Sequence, residues 1–214
     1  PDYALWSAGA RVLQSWTSST YCPTISGSPS WFRWLLPHSA WTDWRTPKFA
    51  LSNSLQPGDC WPMEGSQGSL GIALARPVYH LSVTIQHVPM QLLYDIDSVP
   101  REGELWGLLQ EIDVVCSSDD DMVSCKTASE LLPFATGFHS DFGIQDGTFV
   151  HLLDFAYDVH TTLHHQSFAM PSMSPWLNTS FESVVFLFLN NWGNDGYTCL
   201  YRVQVHGDHS RSDS

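Results

Sequence analysis

Lysine and arginine are scarce in this chain: nine stand against 22 aspartates and glutamates, giving a net charge of −13 over 214 residues. A surface so short of cations repels phosphate backbones and anionic headgroups, which disfavours nucleic acid and direct membrane contact by this domain. It would steer in a partner that carries Lys or Arg near its contact residues. Long hydrophobic runs are missing as well. No stretch approaches the roughly 20 apolar residues that cross a bilayer, and the first residues lack the pattern of a secretory signal. The abrupt start at Pro1-Asp2-Tyr3 reads as an excised domain, with any targeting or membrane segment outside it.

The marks of common chemistries are absent too. The five cysteines, Cys22, Cys60, Cys116, Cys125 and Cys199, include no CxxC pair and no Cys/His cluster at zinc spacing, which argues against a metal knuckle. An oxidising compartment, with one or two disulfides and a leftover thiol, fits them better. The sequon Asn178-Thr179-Ser180 agrees with a lumenal setting. Ten histidines include the group His160, His164 and His165, but no HExxH glutamate accompanies them and they read as surface residues of a loop. A GxSxG elbow and a GxGxxG fingerprint are both missing. Gly65-Ser66-Gln67-Gly68 is too short to cradle a phosphate. Asp119-Asp120-Asp121 lack the spacing of an EF-hand loop and read as a solvated tip. Nothing in the pattern supports an enzyme.

What the chain does contain is strand signal. Apolar and polar residues alternate through Leu81-Ser82-Val83-Thr84-Ile85-Gln86-His87, through Leu70, Ile72 and Leu74, and along Cys199, Tyr201, Val203 and Val205, as on half-buried strands. Val184 to Leu189 is unbroken apolar sequence, short enough for a central strand covered on both faces. Turn signals at Pro57-Gly58-Asp59 and Asn194-Asp195-Gly196 separate these runs. The expectation is an all-β chain, an antiparallel β-sandwich of jelly-roll type. A short N-terminal helix over Asp2–Leu13, with Asp2 as N-cap, is also expected. Two segments break the pattern. Residues 22–48 carry Trp31, Phe32, Trp34, Leu35, Leu36, Trp41 and Trp44, aromatic surface that must pack on the core or meet a partner. Residues 108–147 read as a surface insertion.

Four blocks, in order, resemble the SUN domain (Sad1/UNC-84 homology). They are Asp2-Tyr3-Ala4-Leu5 with Ser7-Ala8-Gly9-Ala10 and Thr20-Tyr21; PGDCW at 57–61 running through Gly68; Val83-Thr84-Ile85-Gln86-His87-Val88-Pro89 with Ser98-Val99-Pro100; and NNWGNDGYTCLYRVQVHG at 190–207. The resemblance implies one SUN domain over residues 1–207 and a disordered tail at 208–214. It implies a β-sandwich of the perinuclear space, trimeric above an upstream coiled coil outside this chain. Such a domain belongs to an inner nuclear membrane protein and binds the C-terminal tail of a KASH protein, forming the LINC bridge between nucleus and cytoskeleton. Segment 22–48, with Trp31 and Trp34, stands where the family has a hairpin lid over the bound peptide. The tail's terminal carboxylate would meet Ser98 and Tyr197, with His87 lining the pocket and Tyr201 close by. A hydroxyl and a phenol suit such a group.

The resemblance also implies a Cys60–Cys199 disulfide and a monovalent cation, potassium, held largely by backbone carbonyls. That loop runs from Phe49 to Asp59, with Phe49, Ser52, Ser54 and Asp59 as ligands and Tyr201 contributing from the last strand. Cys116 and Cys125 are expected to pair within the insertion. The family's partner-crosslinking cysteine is replaced by Thr17, and Cys22 either substitutes for it or is a free thiol. The rival reading is a carbohydrate-binding sandwich that uses the tryptophans as a glycan platform.

Overall fold

The computed structural model describes residues 1–22, 45–109, 124–132 and 147–209. Trp31 and Trp34 with nearly all of the expected lid, Cys116, the aspartates 119–121, and residues 210–214 of the expected tail lie outside the described residues.

Among the described residues there are ten strands: β1 (Arg11–Leu13), β2 (Trp61–Glu64), β3 (Gly68–Gln86), β4 (Glu102–Leu108), β5 (Cys125–Thr127), β6 (Thr148–Ala156), β7 (His165–Ala169), β8 (Phe181–Phe188), β9 (Tyr197–Leu200) and β10 (Arg202–Asp208). All named pairings are antiparallel. The 19 residues of β3 serve two sheets. Its first half lies between β1 and β8, with Ile72 opposite Val12 and Val184. Its second half lies between β10 and β7, with Thr84 opposite Gln204 and Ser167. Between them the register with β8 shifts from Ala73 to Val78, around Pro77, which has no N–H for a ladder. One sheet therefore reads β1-β3-β8-β4-β6-β5, and β10 and β7 flank the far half of β3. A separate β2–β9 pair makes a third, two-stranded sheet.

A common core joins these layers. Leu70, Ile72, Val184, Phe186, Phe188 and Phe155 share it with Val83, Ile85, Val203 and Val205. Burying each such side chain contributes about 1.5–3 kcal/mol. The apolar run Val184–Leu189 is buried from Val184 to Phe188, between β3 and β4, as its composition predicts, while its last residue, Leu189, lies beyond the strand and is exposed.

Two local expectations are corrected. Residues 2–13 form no α-helix; a 3₁₀ turn at Trp6–Ala8 ends at Gly9 (φ 116°), and β1 follows. Remote partners take this backbone, since Tyr3 N–H donates to the Val205 carbonyl at 2.7 Å and Ala75 N–H to the Tyr3 carbonyl at 2.9 Å. Asp2 accepts from Ala4 N–H at 3.0 Å, but its other oxygen pairs with the buried Arg202 at 2.9 Å. It anchors the segment to β10 instead of capping a helix. The second correction concerns residues 124–132, which the sequence assigns to a surface insertion. β5 pairs with β6, and a short helix α1 (Ala128–Leu131) follows, closed by a Thr127/Glu130 capping box. Ala128, Leu131 and Leu132 are packed with Trp16, Trp106 and Phe149 in a second apolar cluster.

Candidate functional site

The residues singled out in the sequence meet at one end of β3. His87 follows its last residue, Ser98 lies in the β3–β4 connection, and Tyr197 opens β9. Cys199 N–H donates to the Ser98 carbonyl at 2.8 Å, tying the connection to β9. The 190–196 loop is fixed against the same connection: Trp192 N–H donates to Val99 O at 3.1 Å and Asn194 N–H to Asp97 O at 3.1 Å. Asn191 holds that loop in shape, its amide donating to the carbonyls of Asn194 and Tyr197 and to the Thr198 hydroxyl. Gly193, at φ 143°, supplies the left-handed backbone that this turn needs.

His87 is 2% exposed. Its Nε2 lies 3.3 Å from the Cys199 carbonyl, while Nδ1 is buried without a well-formed hydrogen bond. Burial lowers its pKa from 6.5 to about 4, against the opposing pull of the Cys199 and Val88 backbone. The Tyr201 ring stands edge-on to it at 4.4 Å. Tyr201 is buried, and its hydroxyl accepts from Gly58 N–H at 2.9 Å, so it packs under the neighbouring loop while Tyr197, four residues earlier, reaches outward. Burial raises the Tyr201 phenol; the Gly58 N–H and the charge of Arg45 act the other way, and Asp59 adds to the rise.

Sequence reasoning missed the groups that surround Tyr197. Its hydroxyl donates to Asp95 Oδ2 at 2.9 Å, and Asn194 Nδ2 donates to the same oxygen at 2.6 Å. Asp95 Oδ1 accepts from Asp97 N–H at 3.1 Å, and Ser98 Oγ donates to the Asp95 main-chain carbonyl at 2.9 Å. The phenol of Tyr197 is raised, first by burial and then by the bond to Asp95 and its charge, with the Ser98 hydroxyl acting the other way. Tyr21 stacks on Tyr197 at 5.1 Å, and its N–H bonds to the Pro62 carbonyl of β2. Asn194 stands in a turn signal and Tyr21 in one of the resembling blocks, but for Asp95 the local signal was Asp95-x-Asp97, an Asx-turn spacing.

Disulfide Cys60–Cys199 ties β9 to the residue before β2, across 139 residues. Cys125 is also disulfide-bonded, and Cys116, its expected partner, lies outside the described residues. Cys22 is a free, exposed thiol. Thr17 is buried, donating to Leu13 O at 2.8 Å and accepting from Gly71 N–H.

Residues 49–59 form a 3₁₀ turn (Pro47–Leu51) and a turn at Gly58 (φ 90°). The Phe49 carbonyl accepts both Ser52 N–H and Ser52 Oγ–H, which leaves it little capacity for a cation. The carbonyls of Ser52, Ser54 and Asp59 are left out of the loop's own turns, which use those of Phe49 and Gln56. Carbonyl oxygens of this kind suit a monovalent cation. Among the described residues, no group of three His, Cys, Asp or Glu is placed to hold a metal ion, and His160 stacks edge-on to Trp192 at 4.9 Å.

The Sad1/UNC-like C-terminal family model matches residues 40–118 and 139–209. The chain belongs to the SUN-domain family. Its relatives include human SUN domain-containing protein 5, 28% identical over 97% of this chain and 44% of that protein. Rat sperm-associated antigen 4 protein is 31% identical over 97% and 38%, and Drosophila melanogaster Klaroid protein 30% over 96% and 17%. The chain thus spans less than half the length of these relatives. SUN domains are a family of binding modules associated with the LINC complex of the nuclear envelope. Among solved structures, the family 32 carbohydrate-binding module from Streptococcus pneumoniae EndoD superposes with a TM-score of 0.52 at 10% identity, over 97% of this chain and 100% of that one. At that identity the likeness is one of fold: both are antiparallel sandwiches.

Proposed function

We propose that the chain is a peptide-binding module that takes the C-terminal tail of a KASH protein in the perinuclear space. It would act as one half of the LINC bridge, trimeric through a coiled coil outside this chain. Family membership supports the reading, and one observation carries it at the residue level. Ser98, Tyr197 and the buried, neutral ring of His87 gather at one edge of β9, with Tyr21 stacked there, next in sequence to segment 22–48. That segment, with Trp31 and Trp34, then serves as the lid. A tail laid beside it gains main-chain hydrogen bonds. Its terminal carboxylate gains bonds worth about 1.5–3 kcal/mol each from Ser98 and Tyr197. The loop Phe49–Asp59, below Tyr201, holds a structural potassium ion in this reading. No catalytic step is assigned.

The test is titration of the full-length trimer with a synthetic KASH-protein C-terminal peptide, as free acid and as C-terminal amide. The free acid is expected to bind at least about ten-fold tighter, as the loss of one charged hydrogen bond predicts. Ser98→Ala combined with Tyr197→Phe should erase that preference in a domain that still melts cooperatively. Equal affinities for the two peptides would overturn the carboxylate pocket. A soluble-glycan array is expected to stay blank; a specific sugar signal would favour carbohydrate binding instead.

A further inference from the structure

The donors read as waiting for a partner's carboxylate already hold one belonging to this chain. Tyr197 and Asn194 both point at Asp95 Oδ2, and the hydroxyl of Ser98 is spent on the main chain of the same residue. Tyr197 has a single proton to give. An incoming carboxylate would therefore find its donor taken and a like charge beside it, an arrangement that disfavours two ionised groups together. Asp95 is only half-buried and sits in the connection between β3 and β4, so its side chain can turn outward without unpacking the core. Resting on the peptide-tail reading above, we propose that Asp95 is a built-in competitor for the tail's terminal carboxylate. A tail enters as Asp95 gives up Tyr197 and Asn194, so Asp95 sets both the affinity and the threshold a tail must pass.

The decisive comparison is wild type against Asp95→Asn, titrated with the free-acid and amidated peptides. Asparagine can still accept the Asp97 N–H through its oxygen, while its amide turns a donor toward the pocket. The free acid should bind Asp95→Asn at least about ten-fold more tightly, about 1.4 kcal/mol, and the amide should be unaffected. In a Tyr197→Phe background the gain should shrink, because the contested donor is gone. Asp95→Ala serves as the second variant should the asparagine disturb the loop, with thermal melting confirming the fold of each. If the free acid binds wild type and both variants equally, with the amidation penalty intact, Asp95 is no competitor although the peptide reading stands. If neither peptide binds any of these proteins, the peptide reading itself fails and this proposal with it.

A separate observation carries a second inference. Asn178 heads the sole Asn-x-Ser/Thr triplet of the sequence. It is exposed, in a turn of the β7–β8 connection that is held by Thr179 N–H on the Trp176 carbonyl at 3.0 Å and anchored by the buried Trp176. The disulfides at Cys60–Cys199 and at Cys125 mark the oxidising compartment in which such triplets are modified. We infer that Asn178 carries an N-linked glycan. Its Nδ2 forms the bond to the anomeric carbon of a lipid-pyrophosphate-linked oligosaccharide, the bond from that carbon to the pyrophosphate breaks, and the amide proton leaves with a base. The connection starts at Met170, whose N–H bonds Leu81 O, whereas His87 lies at the other end of that half of β3. The glycan therefore stands away from the peptide pocket. Full-length protein from a eukaryotic cell should shift in mass on treatment with peptide-N-glycosidase, and Asn178→Gln should not. No shift in a protein whose Cys60–Cys199 bond has formed would overturn the inference.

Discussion

Burial makes His87 a base that must stay neutral to remain folded, and its pKa of about 4 against an ordinary 6.5 gives the consequence a direction. Between those values the unfolded chain takes up a proton that the folded one refuses, so stability falls as pH drops from about 6.5 and levels off near 4. The loss should reach about 2 kcal/mol by pH 5. Urea unfolding at pH 7 and pH 5 checks it, and His87→Phe should lose most of the difference. A wild type equally stable at both would contradict the buried, neutral ring. Ser98, Tyr197 and His87 were legible in the sequence because they sit inside blocks that resemble a family. Asp95 was not, and although Asn194 stands in a turn signal inside such a block, nothing local points it at Asp95, for a physical reason. Their contact spans 99 residues and leaves no period in the chain; only folding brings the carboxylate under the amide and the phenol.

Strands and disulfides divide in the same way between local and remote causes. Alternation is a nearest-neighbour property, so the strand at Leu81–His87 could be read directly, as could the covered part of the run Val184–Leu189; the break at Tyr201, which sends β9 and β10 to different sheets, could not. The N-terminal segment could not, because Val205 and Ala75 supply its backbone partners from far along the chain. Residues 124–132 look like loop in sequence but contribute Leu131, 2% exposed, to the cluster around Trp106. Leu131→Ala should therefore cost about 2–5 kcal/mol in denaturant unfolding, where a true surface insertion would lose close to nothing. The disulfide at β9 is testable too. Replacing Cys60 and Cys199 together by serine should lower stability by about 2–5 kcal/mol, with reductant then having no further effect at that pair. An unchanged unfolding midpoint would mean that the bond constrains little.

At the scale of the molecule, a net charge of −13 acts on encounter before it acts on contact. Raising ionic strength from about 0.01 M to about 0.15 M shortens the screening length from about 30 Å to about 8 Å. The association rate with a basic tail should fall with it and the dissociation rate should hardly move, which stopped-flow mixing resolves. A rate indifferent to salt would remove steering from the account. The long β3 has a consequence of another kind. The start of the chain is stitched to Val205 and Ala75, and His87 lies beyond the far end of the same strand, flanked there by β10 and β7. A pull applied between those two points runs along the strand axis. In the proposed tethering role, such a pull would load the Ser82–Gln86 ladders in shear, many bonds resisting at once.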